Sequence, residues 1–161
     1  KELQEHPKDR AELSMIVDLL RNDLHRVCVP ASVEVVDRGS VQSFPHVHHL
    51  IAKIKGTMRK DWTWRELTDA LCPGGSITGA PKREVMQAIH ERELRSRSYF
   101  MGNILYVDAF TGRADSSILI RTAQQLGDGP WEYAAGCGIV VHSQAPEELA
   151  EVLAKARLIL A

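Results

Sequence analysis

The stretch YFMGNILYVDAF, residues 99–110, is the first of three consecutive runs that predict β-strands and decide the fold class. ADSSILIRTAQQL (114–126) and WEYAAGCGIVV (131–141) follow it, and glycine-containing turns separate the three runs. The next run, APEELAEVLAKARLIL (145–160), has the apolar spacing of an amphipathic helix. Adjacent strands flanked by separated helices are typical of an α+β architecture with antiparallel pairing.

The first half of the chain predicts a similar mixture of helices and strands. Apolar residues at helical spacing, β-branched runs and turn signals mark five further elements. The predicted helices span about 8–24, 61–71 and 80–92, the predicted strands lie within 27–44 and 47–58, and Asp61 is the predicted cap of the second helix.

Composition argues against several functional classes. The 161 residues suffice for one domain with a real core, and 20 Lys and Arg residues balance 21 Asp and Glu residues, which disfavours a broad nucleic-acid interface. No apolar run is long enough to span a bilayer, and the opening residues do not resemble a signal peptide. Three widely spaced cysteines indicate reduced thiols and a cytoplasmic protein. Because the chain opens inside a helical pattern without a methionine, we expect a piece of a longer polypeptide.

The glycine-rich run PGGSITGAPK, residues 73–82, resembles a phosphate-binding loop only in part. A P-loop needs Lys and Ser or Thr where Ala80 and Pro81 stand, so a nucleotide site is excluded. Bare backbone before a helix N-terminus still suits an anion, and Ser76, Thr78 and Lys82 would add donors. An ordinary tight turn before a capped helix is the alternative.

Two pairs of acidic residues have the same helical spacing. Glu148 and Glu151 share one face of the last predicted helix, and Asp9 and Glu12 repeat the i, i+3 spacing on the first. Two such pairs on two helices could converge on a hard divalent ion such as Mg²⁺, which prefers oxygen ligands. A solvated charged face, with Lys155 four residues after Glu151, is the alternative.

Further residues suit the binding of a small, multiply charged acid. Arg121 lies inside the apolar run ILIRTA, where it would either clamp a ligand carboxylate or form a structural ion pair, for example with Asp115. Gly136 and Gly138 interrupt a strand-like run, as a closely approaching ligand or a β-bulge would require. Tyr106 lies near a predicted strand end.

Three histidines lie in the run HVHHL, residues 46–50. In a strand His46 and His48 would share one face and His49 would take the other. A zinc site needs a third ligand of matching geometry, and none is evident. A single functional histidine facing a cleft is the preferred hypothesis.

Five ordered sequence blocks, which together cover nearly the whole chain, are similar to those of one family. The blocks are DRAELSMIVDLLRNDLHRV (9–27), FPHVHHLIAKIKGT (44–57), PGGSITGAPKREVMQAI (73–89), GNILYVDAFTGRADSSILIRT (102–122) and AGCGIVVHSQAPEELAEVLAKA (135–156). They resemble the C-terminal half of the chorismate-utilising enzymes, a family that includes anthranilate, aminodeoxychorismate, isochorismate and salicylate synthases. The first and third blocks most resemble the aminodeoxychorismate synthase component I subgroup. Anthranilate synthase component I, or a non-catalytic chorismate-binding fragment, is the alternative.

The resemblance implies a fold and a set of site residues. The fold would be part of the chorismate-binding β-sandwich, with antiparallel sheet and flanking helices, and residues 1–161 would be the C-terminal portion of the catalytic domain. For Mg²⁺ the implied residues are Glu12 and Glu151 as direct ligands, with Glu148 and Asp9 acting closely or through water. The other implied residues are Tyr106, Arg121, Gly136 and Gly138 for the enolpyruvyl carboxylate; Ser76, Thr78, Gly79 and Lys155 for further substrate contacts; and His49 as the catalytic residue beside the ring.

The resemblance also implies a reaction and a partner. In enzymes of this kind a lysine attacks the chorismate ring, the 4-hydroxyl departs, and ammonia from a glutamine amidotransferase then displaces the lysine. That lysine belongs to a block expected before residue 1, so we expect the 161 residues alone to be inactive. We also expect them to self-associate, because a part of the family's sandwich would expose strand edges and apolar faces. Cys137 stands where the family usually has a glycine, and it would crowd the carboxylate site if its side chain pointed inward.

Overall fold

The chain forms two compact units, Lys1–Arg92 and Glu93–Ala161. The structure is a computed structural model, and it describes residues 7–44, 48–141 and 143–160. Each unit combines helices with antiparallel strands, so the predicted α+β class is confirmed. Within these described ranges, no helix has the length and apolar character needed to cross a membrane.

The first unit packs its long helix against a two-stranded sheet. Its elements are helix α1 (Pro7–His25), strands β1 (Glu34–Ser43) and β2 (His48–Lys55), and helices α2 (Trp64–Leu71), α3 (Gly75–Thr78) and α4 (Lys82–Arg92). β1 and β2 pair antiparallel from Glu34 opposite Lys55 to Ser43 opposite His48, with two register shifts around Asp37. Helix α1 contacts both strands and also α2 and α3.

A small apolar cluster lies where α1 ends. Val27 and Cys28 follow that helix and are buried together with Ala70 of α2. Leu24, Val33, Met58 and Leu67 pack around them. The cluster therefore joins the end of α1 to α2, immediately before the glycine-rich run.

Helix α2 has a different cap from the predicted one. The cap is Thr63, not Asp61: the Thr63 hydroxyl accepts from the backbone N–H of Glu66 at 3.2 Å. The Glu66 carboxylate accepts in return from the backbone N–H of Thr63 at 3.0 Å. The pair forms a reciprocal capping box, which satisfies two otherwise unpaired donors.

The glycine-rich run is more helical than predicted. Gly75–Thr78 forms the short helix α3, and the next helix begins at Lys82, two residues later than expected. The carbonyl of Pro81 accepts the first helical hydrogen bond, from the N–H of Val85 at 3.1 Å. Gly79 ends α3 with a φ of 89°, a left-handed conformation that only glycine adopts without strain.

The second unit consists of two hairpins and the last helix. Its elements are strands β3 (Asn103–Val107), β4 (Ala114–Ile118), β5 (Ala123–Gln125) and β6 (Trp131–Tyr133), and helix α5 (Ala145–Leu160). β3 pairs with β4 and β5 with β6, each antiparallel. The strands are shorter than the three predicted runs: the second run is broken in two at Arg121, and the third ends at Tyr133.

Candidate functional site

The last helix presents its charged side chains to the segment that precedes it. On α5, Glu148 and Glu151 lie three residues apart, as predicted, and Lys155 pairs with the carboxylate of Glu151. The Nζ atom of Lys155 also donates to the carbonyl oxygen of Gly136 at 3.0 Å. Only 8% of Glu148 is exposed, so this carboxylate does not belong to a solvated charged face.

Cys137 points toward the same helix face. Its thiol donates a hydrogen bond to Glu148, and it lies within electrostatic range of Glu151 and Lys155. Burial raises the pKa of the Cys137 thiol, the hydrogen bond to Glu148 and the two carboxylate charges raise it further, and Lys155 opposes them. The thiol therefore stays protonated at neutral pH.

The segment from Tyr133 to Gly138 is held against α5 rather than paired in a sheet. The Tyr133 hydroxyl donates to the backbone carbonyl of Lys155 at 3.2 Å. A Cβ added at Gly136 would lie 3.2 Å from Cε of Met101, whereas one at Gly138 would meet none of the described residues within 4 Å. The prediction that both glycines lie in a strand is wrong, because the backbone leaves β6 after Tyr133 to follow the helix.

Tyr106 and Arg121 lie on the hairpin half of the second unit. Tyr106 is on β3, opposite Asp115 of β4, and is 66% exposed. Arg121 lies in the break between β4 and β5 with a φ of 52°, and its side chain is exposed. The alternative of an ion pair between Arg121 and Asp115 is wrong for the described structure, which contains no such contact.

The glycine-rich run places its three polar side chains in different surroundings. Ser76 is exposed, whereas Thr78 is buried and its hydroxyl donates to the carbonyl of Gly79 at 3.0 Å. Lys82 pairs with a carboxylate of the chain itself, since its ammonium lies 2.7 Å from Oδ2 of Asp23, and its role as an anion donor stays a prediction. The pair was not predicted from the sequence, although Asp23 follows Leu19 by four residues and so lies on the apolar stripe of α1, which indicates a buried carboxylate.

His49 and Glu12 lie in the first unit. His49 is half-buried on β2, with its ring edge-to-face with Phe44 at a centroid distance of 5.6 Å. His48 is exposed, and its Nδ1 lies 2.9 Å from the Ser43 hydroxyl. Glu12 is exposed on α1. His46 and the side chain of Asp9 lie outside the described residues.

The predicted metal ligands divide between the two units, with Glu12 in the first and Glu148 and Glu151 in the second. No group of three or more His, Cys, Asp or Glu side chains is arranged to hold a metal ion in the part of the chain that the structure describes. A shared ion between Glu12 and Glu151 therefore stays a prediction.

Comparisons with known proteins agree over the whole chain. The family model described as chorismate binding enzyme matches residues 1–161. Anthranilate synthase component 1 of Mycolicibacterium smegmatis is 41% identical over 160 residues, which cover 99% of this chain and 30% of that protein. Aminodeoxychorismate synthase component 1 of Salmonella typhimurium is 44% identical over 153 residues, which cover 95% of this chain and 33% of that protein.

A solved structure has the same fold. The crystal structure of anthranilate synthase component I from Streptococcus pneumoniae is similar to this chain with a TM-score of 0.83 and 35% identity, over 97% of this chain and 35% of that one. The family fold implied by the five sequence blocks is thereby confirmed. The chain spans about a third of the length of the curated relatives it matches. It belongs to the family of chorismate binding enzymes.

Proposed function

We propose that the chain is the C-terminal part of an aminodeoxychorismate synthase component I. The full enzyme would replace the 4-hydroxyl of chorismate by ammonia, with release of water, for the synthesis of p-aminobenzoate and folate in the cytoplasm. A glutamine amidotransferase, as a subunit or a fused domain, would supply the ammonia. The binding of chorismate is supported by the packing of Gly136 and Cys137 on the Glu148, Glu151 and Lys155 face of α5, within a chain of the chorismate binding family. The choice of this member is supported by the 44% identity to the Salmonella typhimurium aminodeoxychorismate synthase component 1.

The acidic side chains fit Mg²⁺ by their chemistry. Glu148 and Glu151 offer hard oxygen donors from one helix face, and Glu12 offers a third from α1. When bound, Mg²⁺ would neutralise the ring carboxylate of chorismate and ease departure of the neighbouring hydroxyl. Lys155 holds Glu151 in place and fixes its orientation. Cys137 lies beside Glu148 as a neutral thiol that adds no charge to the site.

Arg121 is the proposed partner of the enolpyruvyl carboxylate, together with Tyr106. A non-glycine residue at a positive φ costs of order 1–3 kcal/mol and persists where the surroundings or the function require it. Arg121 has a φ of 52°, and its exposed guanidinium forms no ion pair with the residues that the structure describes. Strain at an unpaired arginine supports a role in binding a planar carboxylate, which a guanidinium grips with two parallel hydrogen bonds.

Gly136 and Gly138 complete the proposed carboxylate site. An added Cβ at Gly138 would have no described residue within 4 Å, so the space beside this backbone is open to a ligand. In the first unit, Ser76 to Gly79 would contact the substrate and His49 would lie beside the ring. The nucleophilic lysine would come from outside these 161 residues, so they would bind but not convert chorismate.

Anthranilate synthase component I is the second candidate. It is favoured by the 41% identity to the Mycolicibacterium smegmatis protein over 99% of this chain, close to the 44% found for the Salmonella typhimurium one. Its product is anthranilate with release of pyruvate, whereas aminodeoxychorismate keeps the enolpyruvyl group. The two candidates therefore differ in products that are easily distinguished.

The test is a product analysis with the complete polypeptide in which these residues occur. We expect chorismate, ammonia and Mg²⁺ to yield aminodeoxychorismate, detected by mass spectrometry, with no fluorescent anthranilate and no pyruvate. Anthranilate and pyruvate would establish the second candidate. Metal-dependent binding of chorismate with no product at all would indicate a non-catalytic binding protein, and formation of product by the 161 residues alone would contradict the requirement for an external lysine.

A further inference from the structure

Both ends of the glycine segment, defined here as residues 75–82, are fixed to helix α1. At its start, Gly75 packs so closely on α1 that an added Cβ would lie 3.0 Å from the Cβ of Leu19. At its end, the ammonium of Lys82 lies 2.7 Å from Oδ2 of Asp23. Leu19 and Asp23 are four residues apart, so the two anchors occupy one face of α1 about one turn from each other.

The anchor at Lys82 is shielded from water. The Asp23 side chain is 4% exposed and that of Lys82 is 23% exposed. The same ammonium donates to the carbonyl of Ala70 at 3.2 Å. Ala70 lies in the last turn of α2, where carbonyls lack helical partners and the helix dipole favours a positive charge. One ammonium therefore ties α1, α2 and the start of α4 together at one point.

The segment between the anchors forms a closed unit. The backbone N–H groups of Ile77 and Thr78 donate to the carbonyl of Gly74, and that of Gly79 donates to Gly75 at 2.8 Å. The buried Thr78 hydroxyl adds a bond to the carbonyl of Gly79. These bonds hold together the turn that carries the exposed side chain of Ser76, and only Ala80 and Pro81 lie between this turn and Lys82.

We propose that Asp23 is a positioning residue for substrate binding: through Lys82 it holds the glycine segment in register with the helix that carries Glu12. The inference rests on the proposed function, in which Ser76 to Gly79 contact chorismate and Glu12 binds Mg²⁺. The charged pair itself does not touch the substrate. The pair fixes the position of the substrate-contacting residues Ser76 to Gly79 relative to α1.

The kinetic test is Asp23→Asn in the complete polypeptide, which removes the charge and keeps the size of the side chain. We expect KM for chorismate to rise about 10- to 100-fold with a smaller change in kcat, because misplacement of a binding group by about 1 Å has effects of that order. Asp18→Asn is the matched control, since Asp18 is on the same helix, 69% exposed and paired with Arg21. The control should keep the wild-type KM.

A double variant separates positioning from folding. Replacement of a buried ion pair by apolar residues of similar size is often neutral for stability. We expect Asp23→Asn to lower the melting temperature. The double variant Asp23→Leu with Lys82→Met should return the melting temperature to near the wild-type value and still show the raised KM. A double variant with the wild-type KM would overturn the proposal.

Hydrogen exchange tests the same anchor without the reaction. In Asp23→Asn the backbone amides of Ile77, Thr78 and Gly79 should exchange faster than in the wild type, and in Asp18→Asn they should not. Unchanged exchange in Asp23→Asn would contradict the proposal whatever the enzyme converts. Failure of the wild type to bind chorismate, with the exchange result as expected, would contradict the proposed function instead.

Discussion

The Nζ atom of Lys155 lies 3.0 Å from the carbonyl oxygen of Gly136 while it pairs with the carboxylate of Glu151. One side chain thus joins the segment after β6 to the helix face that carries two of the predicted metal ligands. The backbone that would face a substrate carboxylate and the side chains that would face a metal are held at a fixed spacing in this unit.

Lys155→Met should release that segment. A hydrogen bond from a charged donor contributes about 1.5–3 kcal/mol, so chorismate affinity should fall at least about tenfold. The same bond also stabilises the fold, so the unfolding free energy should fall by up to about 1.5–3 kcal/mol, and loss of the partly exposed ion pair should add less than about 1 kcal/mol. Calorimetric titration and thermal unfolding measure the two effects. Arg157→Met removes an exposed cation from the same helix and should bind normally; equal affinities of the two variants would remove Lys155 from the site.

Glu12→Gln and Glu151→Gln test the shared metal ion. Loss of an outer contact typically weakens metal binding 10- to 100-fold, so loss of a direct ligand should weaken Mg²⁺-dependent chorismate binding by about 100-fold or more. If both carboxylates bind one ion, the double variant should be hardly worse than either single variant. Additive losses would show that the two residues act at separate places. Glu147→Gln, an exposed neighbour on α5, is the matched control.

Cys137 should titrate above its ordinary pKa of 9.0, because burial, the hydrogen bond to Glu148 and the nearby carboxylates all favour the protonated thiol. Alkylation by iodoacetamide should therefore be slow at neutral pH and accelerate only as pH rises through the raised pKa. Glu148→Gln removes a negative charge and should shift the profile to lower pH. Mass spectrometry separates Cys137 from Cys28 and Cys72. Identical profiles in the wild type and Glu148→Gln would show that the two side chains do not interact.

Apolar periodicity and turn signals predicted those helices and hairpins whose formation is decided by neighbouring residues. The apolar periodicity of the first and last helices and the turns of the hairpins were sufficient, because those elements bury one face whatever else surrounds them. The capping signal of α2 was also present in the sequence: Thr63 and Glu66 have the spacing of a capping box, and the acidic Asp61 was the wrong choice.

The contacts of the candidate site could not be predicted in the same way, because they join residues that are far apart in the sequence. The ion pair of Asp23 and Lys82 joins residues 59 positions apart, so its formation follows from the packing of α1 on α2. The positive φ of Arg121 breaks a run that reads as one strand, since the apolar residues on both sides give no signal for the break. Glu148 and Glu151 could be placed on one helix face in advance because their spacing alone decides it.

Thr63→Ala should destabilise the first unit. Loss of a threonine N-cap costs about 0.5–2 kcal/mol, and here the return bond, which the backbone N–H of Thr63 donates to the Glu66 carboxylate, is weakened as well. Asp61→Ala is the comparison, because Asp61 is 85% exposed and should cost less than about 0.5 kcal/mol. Denaturant unfolding measures both. An equal loss of unfolding free energy in the two variants would contradict the assignment of Thr63 as the cap.

The 161 residues expressed alone should self-associate through the hairpin of β3 and β4. Both faces of β3 carry exposed apolar side chains, Ile104 and Tyr106 on one and Leu105 and Val107 on the other. The two strands pair only with each other in the described sheets, which leaves a backbone edge open on each. Isolated two-stranded sheets are marginally stable, so a second copy would gain both edge pairing and apolar burial.

Light scattering after size exclusion should detect oligomers whose share grows with concentration. Ile104→Lys places a charge on the hairpin and should raise the monomer fraction, as charged residues do on natural edge strands. Val36→Lys, at an exposed position of β1 in the other unit, should leave it unchanged. If both substitutions shift the distribution equally, the association is a general effect of exposed apolar surface; if the wild type stays monomeric at every concentration, the hairpin does not drive assembly.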